Sequence, residues 1–121
     1  MPFFLNTLVV KEMFKPTILI DFDETITESR GLDSPPNKEA VTALVELSQK
    51  YKIIIFSCRG NRDIFGTGGV VLLERYLEEH GIPYDEIYTR KPTFFVLIDD
   101  RAINPKVTPW SEIVADLMQK I

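Results

Sequence analysis

The segment ILIDFDETIT at residues 18–27 joins an uninterrupted apolar run to acidic residues and threonines. Two further apolar runs, IIIFS at 53–57 and FFVLID at 94–99, have the same form, and each ends on a polar side chain. Apolar runs without polar alternation are typical of parallel strands that are covered on both faces. The sequence therefore predicts parallel strands with polar residues at their carboxyl ends.

Helical patterns separate these runs. NKEAVTALVELSQK at 37–50 has apolar residues at helical spacing, and a second helix is predicted over about 70–80, before a short strand near 84–88. The last helix is predicted over about 109–120, with Thr108 as its N-cap. Strands that alternate with helices indicate an α/β fold, a three-layer Rossmann-like parallel sheet with helices on both faces.

Length and composition indicate one globular domain. A chain of 121 residues has room for a single core that buries roughly two thirds of the unfolded surface. We expect one domain over 1–121, with its core at about 17–104 and an N-terminal extension at 1–15 to which we assign no role. The net charge of −4 gives no basic field for holding nucleic acid nonspecifically.

The sequence favours a cytoplasmic protein without a membrane partner. Its apolar runs are too short to span a bilayer, and its N-terminal segment lacks a basic leader and a cleavage site of small residues. The one cysteine, Cys58, cannot form an internal disulfide, which fits a reducing compartment.

Six polar residues are expected at one edge of the sheet, because the carboxyl ends of parallel strands lie together. A group of carboxylates at this edge requires a cation, and an all-oxygen ligand set suits Mg²⁺. A lysine and a hydroxyl group beside them can hold an anion, which is the combination that phosphoryl transfer requires. The six residues are Asp21, Asp23, Ser57, Lys91, Asp99 and Asp100.

The order of these residues resembles the motif order of the haloacid dehalogenase superfamily. The D-x-D-x-T of ILIDFDETIT is similar to the first motif of that family, and Ser57 and Lys91 lie where its second and third motifs are expected. Asp99 and Asp100 in VLIDDRA resemble its acidic fourth motif, and the match extends over about 17–104. One departure is Glu24, where many relatives have glycine.

This resemblance implies a Mg²⁺-dependent phosphomonoester hydrolase that acts through a phosphoaspartate. Asp21 would be the nucleophile, and Asp23 would protonate the leaving group and then activate water. Ser57 and Lys91 would bind the phosphoryl oxygens. The implied Mg²⁺ ligands are Asp21, the main-chain carbonyl of Asp23 and one or both of Asp99 and Asp100.

The chain has no room for the cap domain that members of this family often carry. About a dozen residues lie between Thr25 and Asn37, and one helix and one strand use up residues 57–91. We therefore expect an open site, which suits a large phosphorylated substrate or a small one enclosed by a second copy of the chain.

Arg59 is a further candidate for substrate binding. It follows Ser57 in the segment CRGNRD, and its forked guanidinium can reach a second phosphate or a carboxylate of the substrate. Two other functions stay open, a non-catalytic binding module of the same fold and a receiver-like domain that accepts a phosphoryl group. The receiver is less favoured because of the order of its acidic residues. A receiver has its acidic pair on the first strand and its phosphorylated aspartate on a later one, whereas here Asp-x-Asp comes first and the pair of Asp99 and Asp100 comes later.

Overall fold

Among the residues that the structure describes, three short strands form a parallel sheet in the order β1, β2, β3. They are β1 at Thr17–Ile20, β2 at Lys52–Phe56 and β3 at Glu86–Tyr88. The computed structural model describes residues 15–61, 66, 68–91 and 96–120. The observed sheet confirms the predicted α/β fold of the Rossmann type.

In the described part of the chain, three α-helices accompany the sheet, namely α1 at Lys38–Leu47, α2 at Gly68–Glu79 and α3 at Trp110–Gln119. Asn37 is the N-cap of helix α1, and its Oδ1 accepts hydrogen bonds from the main-chain N–H groups of residues 39 and 40. All three helices lie where the apolar spacing predicts them. Among the described residues, no helix is long and apolar enough to cross a membrane.

The core lies between one face of the sheet and the helices. Ile53 and Ile55 of β2 are fully buried on this face, together with Leu44 of α1 and Leu73 and Leu77 of α2. A second cluster joins α1 to α3 through Ala40, Ala43, Trp110 and Ile113. These two clusters hold the three helices against the sheet.

The fourth predicted strand is not part of the described sheet. Residues 94 and 95 of the run lie outside the described residues, and residues 96–99 have no regular secondary structure. Val96, Leu97 and Ile98 are exposed, with Ile98 at 91%. A strand forms only where a neighbour supplies backbone hydrogen bonds, and none of the described bonds joins residues 96–98 to β1.

The predicted cap of the last helix is wrong. The N-cap of α3 is Pro109, and no side chain makes a capping hydrogen bond there. The main-chain N–H of Thr108 donates to the carbonyl of Asn104 at 2.9 Å, so Thr108 belongs to the preceding turn. The predicted N-terminal extension at 1–15 lies outside the described residues, except for Lys15.

The turn after β1 holds Glu24 in a left-handed backbone conformation with φ of 61°. The carbonyl of Phe22 accepts hydrogen bonds from the N–H groups of residues 25, 26 and 27, and the Glu24 N–H donates to Oγ1 of Thr27 at 2.9 Å. A side chain with a Cβ is strained at such a φ, whereas glycine is not. A glycine at this position would therefore relieve strain.

We expect the substitution Glu24→Gly to stabilise the protein by about 0.5 to 1 kcal/mol, since the relief of left-handed strain exceeds the entropy cost of glycine. The free energy of unfolding from urea titrations measures this change. Glu74→Gly, inside α2, is the matched control and should destabilise the protein by about 1 kcal/mol. Destabilisation by both substitutions would contradict the strain argument.

Candidate functional site

An ion pair between Asp21 and Lys91 lies at the carboxyl edge of the sheet. Lys91 Nζ donates to Asp21 Oδ1 at 2.5 Å, and Thr25 Oγ1 donates to the other carboxylate oxygen at 3.1 Å. Lys91 is only 7% exposed, and its Nζ lies 4.8 Å from the centroid of the Phe56 ring. The carboxylate and the ring therefore compensate a buried positive charge.

Ser57 lies at the same edge of the sheet as Asp21. The parallel register pairs Ile20 with Ile55, so Asp21 and Ser57 follow the ends of neighbouring strands. Ser57 is 1% exposed, and its Oγ accepts a hydrogen bond from the Arg59 N–H at the start of a short 3₁₀ turn. Because a hydroxyl group donates as well as accepts, Ser57 keeps a proton that can point to a ligand.

Asp23 forms a second ion pair, with Arg59. Arg59 Nε donates to one carboxylate oxygen at 2.7 Å, Nη2 donates to the other at 2.9 Å, and the Gly31 N–H adds a third bond at 2.9 Å. The two side chains are only 16% and 20% exposed. This is the forked geometry that suits a guanidinium and a carboxylate.

The surroundings of Asp23 favour its ionised form. Burial alone raises the pKa of this carboxyl group, but the bonds from Arg59 and Gly31 and the charges of Arg59 and Arg30 outweigh burial, and the net pKa is lowered. The same hydrogen bond raises the pKa of Arg59. Asp23 is therefore a hydrogen-bond acceptor in this arrangement, whereas the implied general acid has to carry a proton.

Arg59 lies at the site, as expected, but it binds a protein carboxylate. Two of its donor atoms are directed to Asp23, whereas the sequence predicted a contact with substrate. A guanidinium in a turn after a strand can face either a ligand or a neighbouring acid. Here the partially buried Asp23 carboxylate needs hydrogen-bond donors, and Arg59 supplies them. Its neighbour Arg62 lies outside the described residues.

Asp99 and Asp100 are not brought to Asp21. Both are exposed, and Asp99 Oδ1 accepts a hydrogen bond from the Arg101 N–H at 2.7 Å. Within the described ranges, no three acidic, histidine or cysteine side chains form a group that could hold a metal ion. The described residues therefore do not assemble the predicted Mg²⁺ ligand set. The Asp21 carboxylate is nevertheless open to solvent, with its side chain 43% exposed. The ligand set stays a prediction.

The sequence did not single out the loop at 28–35, which joins the site through Gly31. Gly31 has φ of 111°, a backbone conformation that favours glycine. Its N–H reaches Asp23, and the carbonyl of Ser34 accepts a hydrogen bond from the Tyr76 hydroxyl at 2.7 Å. A glycine in this polar segment predicts a turn. It does not predict which acceptor the N–H of that glycine contacts.

The comparisons with known proteins concern the fold. A scan against protein-family models and a search of curated proteins return no match. The chain is similar to a structural genomics target from Vibrio cholerae known from a crystal structure, with 26% identity and a TM-score of 0.70. The match covers 87% of this chain and 98% of that one. Its description names no activity, so it supports the α/β fold alone.

The Asp23 ion pair predicts a pH-dependent contribution to stability. The pKa of Asp23 is lower in the folded than in the unfolded protein, so its stabilisation is present above the unfolded value of 3.8 and is lost as the pH falls through the folded value. At neutral pH we expect Asp23→Asn to lower the free energy of unfolding by about 2 kcal/mol, because the Arg59 charge loses its partner. This difference should shrink below the unfolded pKa.

Urea titrations of wild type and Asp23→Asn between neutral and strongly acidic pH measure the effect. Asp116→Asn is the control, since Asp116 is 60% exposed in its pair with Lys120 and such pairs contribute about 0 to 1 kcal/mol. If the free energy of unfolding of wild type exceeds that of Asp23→Asn by the same amount at strongly acidic pH, the explanation is wrong.

Proposed function

We propose that this protein is a phosphomonoester hydrolase of the haloacid dehalogenase superfamily and acts through a phosphoaspartate on Asp21. The observation that carries the proposal is the contact of the buried Lys91 ammonium group with the Asp21 carboxylate at 2.5 Å. These two residues are 70 positions apart in the chain. A compact positive charge beside a partly exposed carboxylate is suited to receive a phosphoryl group.

The proposed reaction has two steps. An oxygen of Asp21 forms a bond to phosphorus, the bond from phosphorus to the ester oxygen breaks, and the alcohol leaves with a proton. Water then attacks phosphorus, the bond to the Asp21 oxygen breaks, and inorganic phosphate is released. Lys91 and the Ser57 hydroxyl group would hold the phosphoryl oxygens in both steps, which stabilises their charge in the transition state.

Asp23 is suited to the second of these steps. As a carboxylate it can accept a proton from the attacking water, and the Arg59 fork keeps it in that form. In the first step it would have to carry a proton and to separate from Arg59. Substrates with good leaving groups, such as aryl phosphates, do not require that proton and should be the easiest to hydrolyse.

Mg²⁺ remains part of the proposal. Mg²⁺ is commonly held by one or two carboxylates together with water and substrate phosphate, and Asp21 offers a partly exposed carboxylate. Asp99 and Asp100 would have to approach Asp21 to complete the predicted set. When bound, the ion would neutralise charge on the phosphoryl oxygens.

The open entrance to Asp21 supports a substrate that the protein does not enclose by itself. The Asp21 side chain is 43% exposed, and the short loop at 28–35 takes the place where a cap would be inserted. We propose a phosphorylated substrate that is either large or covered by a second copy of the chain. A cytoplasmic location belongs to the same proposal.

An anion-binding module without catalysis is the second candidate. The observation that favours the binding module is the ion pair of Arg59 with Asp23. The guanidinium holds the Asp23 carboxylate in its ionised form, whereas the catalytic proposal needs Asp23 as an acid. The contact of Lys91 with Asp21 favours catalysis instead, because a binding module does not require a carboxylate beside the anion it binds. Measurement of turnover separates the two candidates.

We expect Asp21→Asn to lower kcat for p-nitrophenyl phosphate by about a thousandfold or more, because the amide oxygen is a poor nucleophile. Steady-state kinetics with Mg²⁺ present measure the loss, and circular dichroism checks the fold. Asp116→Asn is the matched control and should retain the wild-type rate. Activity of Asp21→Asn within tenfold of wild type would remove Asp21 as the nucleophile, and an inactive wild type would favour the binding module.

Removal of divalent cations should abolish the activity, and Mg²⁺ should restore it. We expect Asp99→Asn or Asp100→Asn to raise the Mg²⁺ concentration needed for half-maximal rate by about tenfold, because a ligand charge is lost. Titration of the rate with Mg²⁺ after chelation measures this, again with Asp116→Asn as control. Full activity in the chelator would contradict the metal requirement.

A further inference from the structure

Lys91 lies beyond the hydrogen-bond ladder of the sheet. Strand β3 ends at Tyr88, and Lys91 follows three residues later in a segment without helix or strand. A lysine carries its charge on a flexible four-carbon stem, so the place of its ammonium group depends on how the main chain is held. The contacts of Nζ with Asp21 and with the Phe56 ring hold the tip of this side chain. Contacts of the main chain have to hold its base.

The side chain of Asn61 contacts the main chain of Lys91. Asn61 Nδ2 donates to the Lys91 carbonyl at 3.0 Å, across 30 positions of the sequence, and the bond is partly buried. A carbonyl group that is shielded from water needs a hydrogen-bond donor, and Asn61 supplies one. This bond therefore joins the turn after β2 to the segment after β3.

Asn61 itself is held in place by the turn that follows Ser57. The Asn61 N–H donates to the carbonyl of Cys58 at 3.0 Å and closes this 3₁₀ turn. That bond uses the main chain of Asn61, whereas the side-chain amide donates outside the turn, to Lys91. The long-range contact is thus separate from the contact that forms the turn.

We propose that Asn61 is a positioning residue of the site, whose amide holds the main chain of Lys91 so that the ammonium group stays beside Asp21. Ser57 and Asn61 belong to one turn. This turn therefore sets both groups that the proposed reaction uses on the phosphoryl oxygens, Ser57 directly and Lys91 through Asn61. The effect of Asn61 on turnover rests on the proposed function, whereas its effect on the place of Lys91 does not.

A neutral amide suits this role better than a charged donor. It adds no charge beside the ion pair of Lys91 with Asp21, and it does not titrate, so it donates at every pH at which the protein is folded. Its side chain is shorter than that of lysine or arginine, so fewer torsions have to be ordered to make the bond.

Chemical labelling of lysines measures the place of Lys91 without turnover. Acetic anhydride modifies amines that solvent reaches, and peptide mass spectrometry gives the rate at each lysine. Lys91 is 7% exposed and pairs with Asp21, so its labelling in wild type should be slow. We expect Asn61→Leu, which removes the donor and keeps the size of the side chain, to raise this rate by about tenfold, the factor for one lost hydrogen bond.

Lys50 is the internal reference for this measurement. Its Nζ donates to the Met118 carbonyl on α3 at 3.1 Å, so a general loosening of the domain raises its rate as well. The ratio of the rates at Lys91 and Lys50 therefore reports the contact with Asn61 rather than overall stability. A rise in this ratio supports the role of Asn61.

Three further variants complete the labelling experiment. Asn61→Ala lacks the same donor without a large apolar group, and it should give the same rise if Asn61→Leu does not fold. Asn61→Gln keeps the donor on a longer side chain and should bring the ratio back towards wild type. Asn104→Leu is the matched control, because Asn104 Oδ1 accepts from the Lys106 N–H within its own turn, and it should keep the wild-type ratio.

Steady-state kinetics with p-nitrophenyl phosphate and Mg²⁺ connect this placement to turnover. We expect Asn61→Leu to lower kcat by about ten- to a hundredfold, since a shift of about 1 Å in a catalytic group costs up to about a hundredfold. KM should change less, because the ammonium group acts on charge that develops in the transition state. Asn61→Gln should recover part of kcat, and Asn104→Leu should keep the wild-type value.

The two measurements separate the positioning role from the proposed function. A wild type without turnover would remove the proposed function, and the labelling ratio would still decide the role of Asn61. An unchanged ratio of the Lys91 and Lys50 rates in the variants that lack the donor would overturn that role. If wild type hydrolyses the substrate in that case, the proposed function stands.

Discussion

The parallel pairing of β1 with β2 is the constraint on which the site depends. The register of Ile20 with Ile55 places Asp21 and Ser57 at one edge of the sheet. A slip of one residue would turn each of these side chains to the opposite face. The pairing of Phe56 with Tyr88 then brings the chain after β3 to the same edge, and Lys91 reaches Asp21 from there. The strand register therefore determines which side chains meet at the site. The burial of Ile53 and Ile55 selects that register.

Asp23, which pairs with Arg59, also ties the loop at 28–35 to this edge through the Gly31 N–H. A carboxylate that is only 16% exposed needs donors, and it takes them from the turn after β2 and from Gly31 of the loop. The strained Glu24 lies in the turn that aims Asp23 at these partners. The turn conformation and the ion pair therefore support one another, and the strain at Glu24 is offset by three hydrogen bonds to the neighbouring residue.

Local patterns predicted the helices and three of the strands, because each depends on the burial of its own apolar face. The run at 94–99 is an uninterrupted apolar run that ends on a polar residue, like the run at 53–57, yet its described part is exposed and not in the sheet. Strand pairing is decided by a distant neighbour, which composition does not reveal. The contact of Lys91 with Asp21 agrees with the motif order. The Arg59 fork does not follow from the sequence, because the direction of a long side chain is set by which partners the fold brings near.

The placement of charge supports the proposal that an acidic protein with a net charge of −4 binds a phosphate. Lys91 is buried, so its field is screened less than that of a surface lysine and acts on a group beside Asp21. Arg59 neutralises Asp23, which removes a repulsion that a phosphate would otherwise meet.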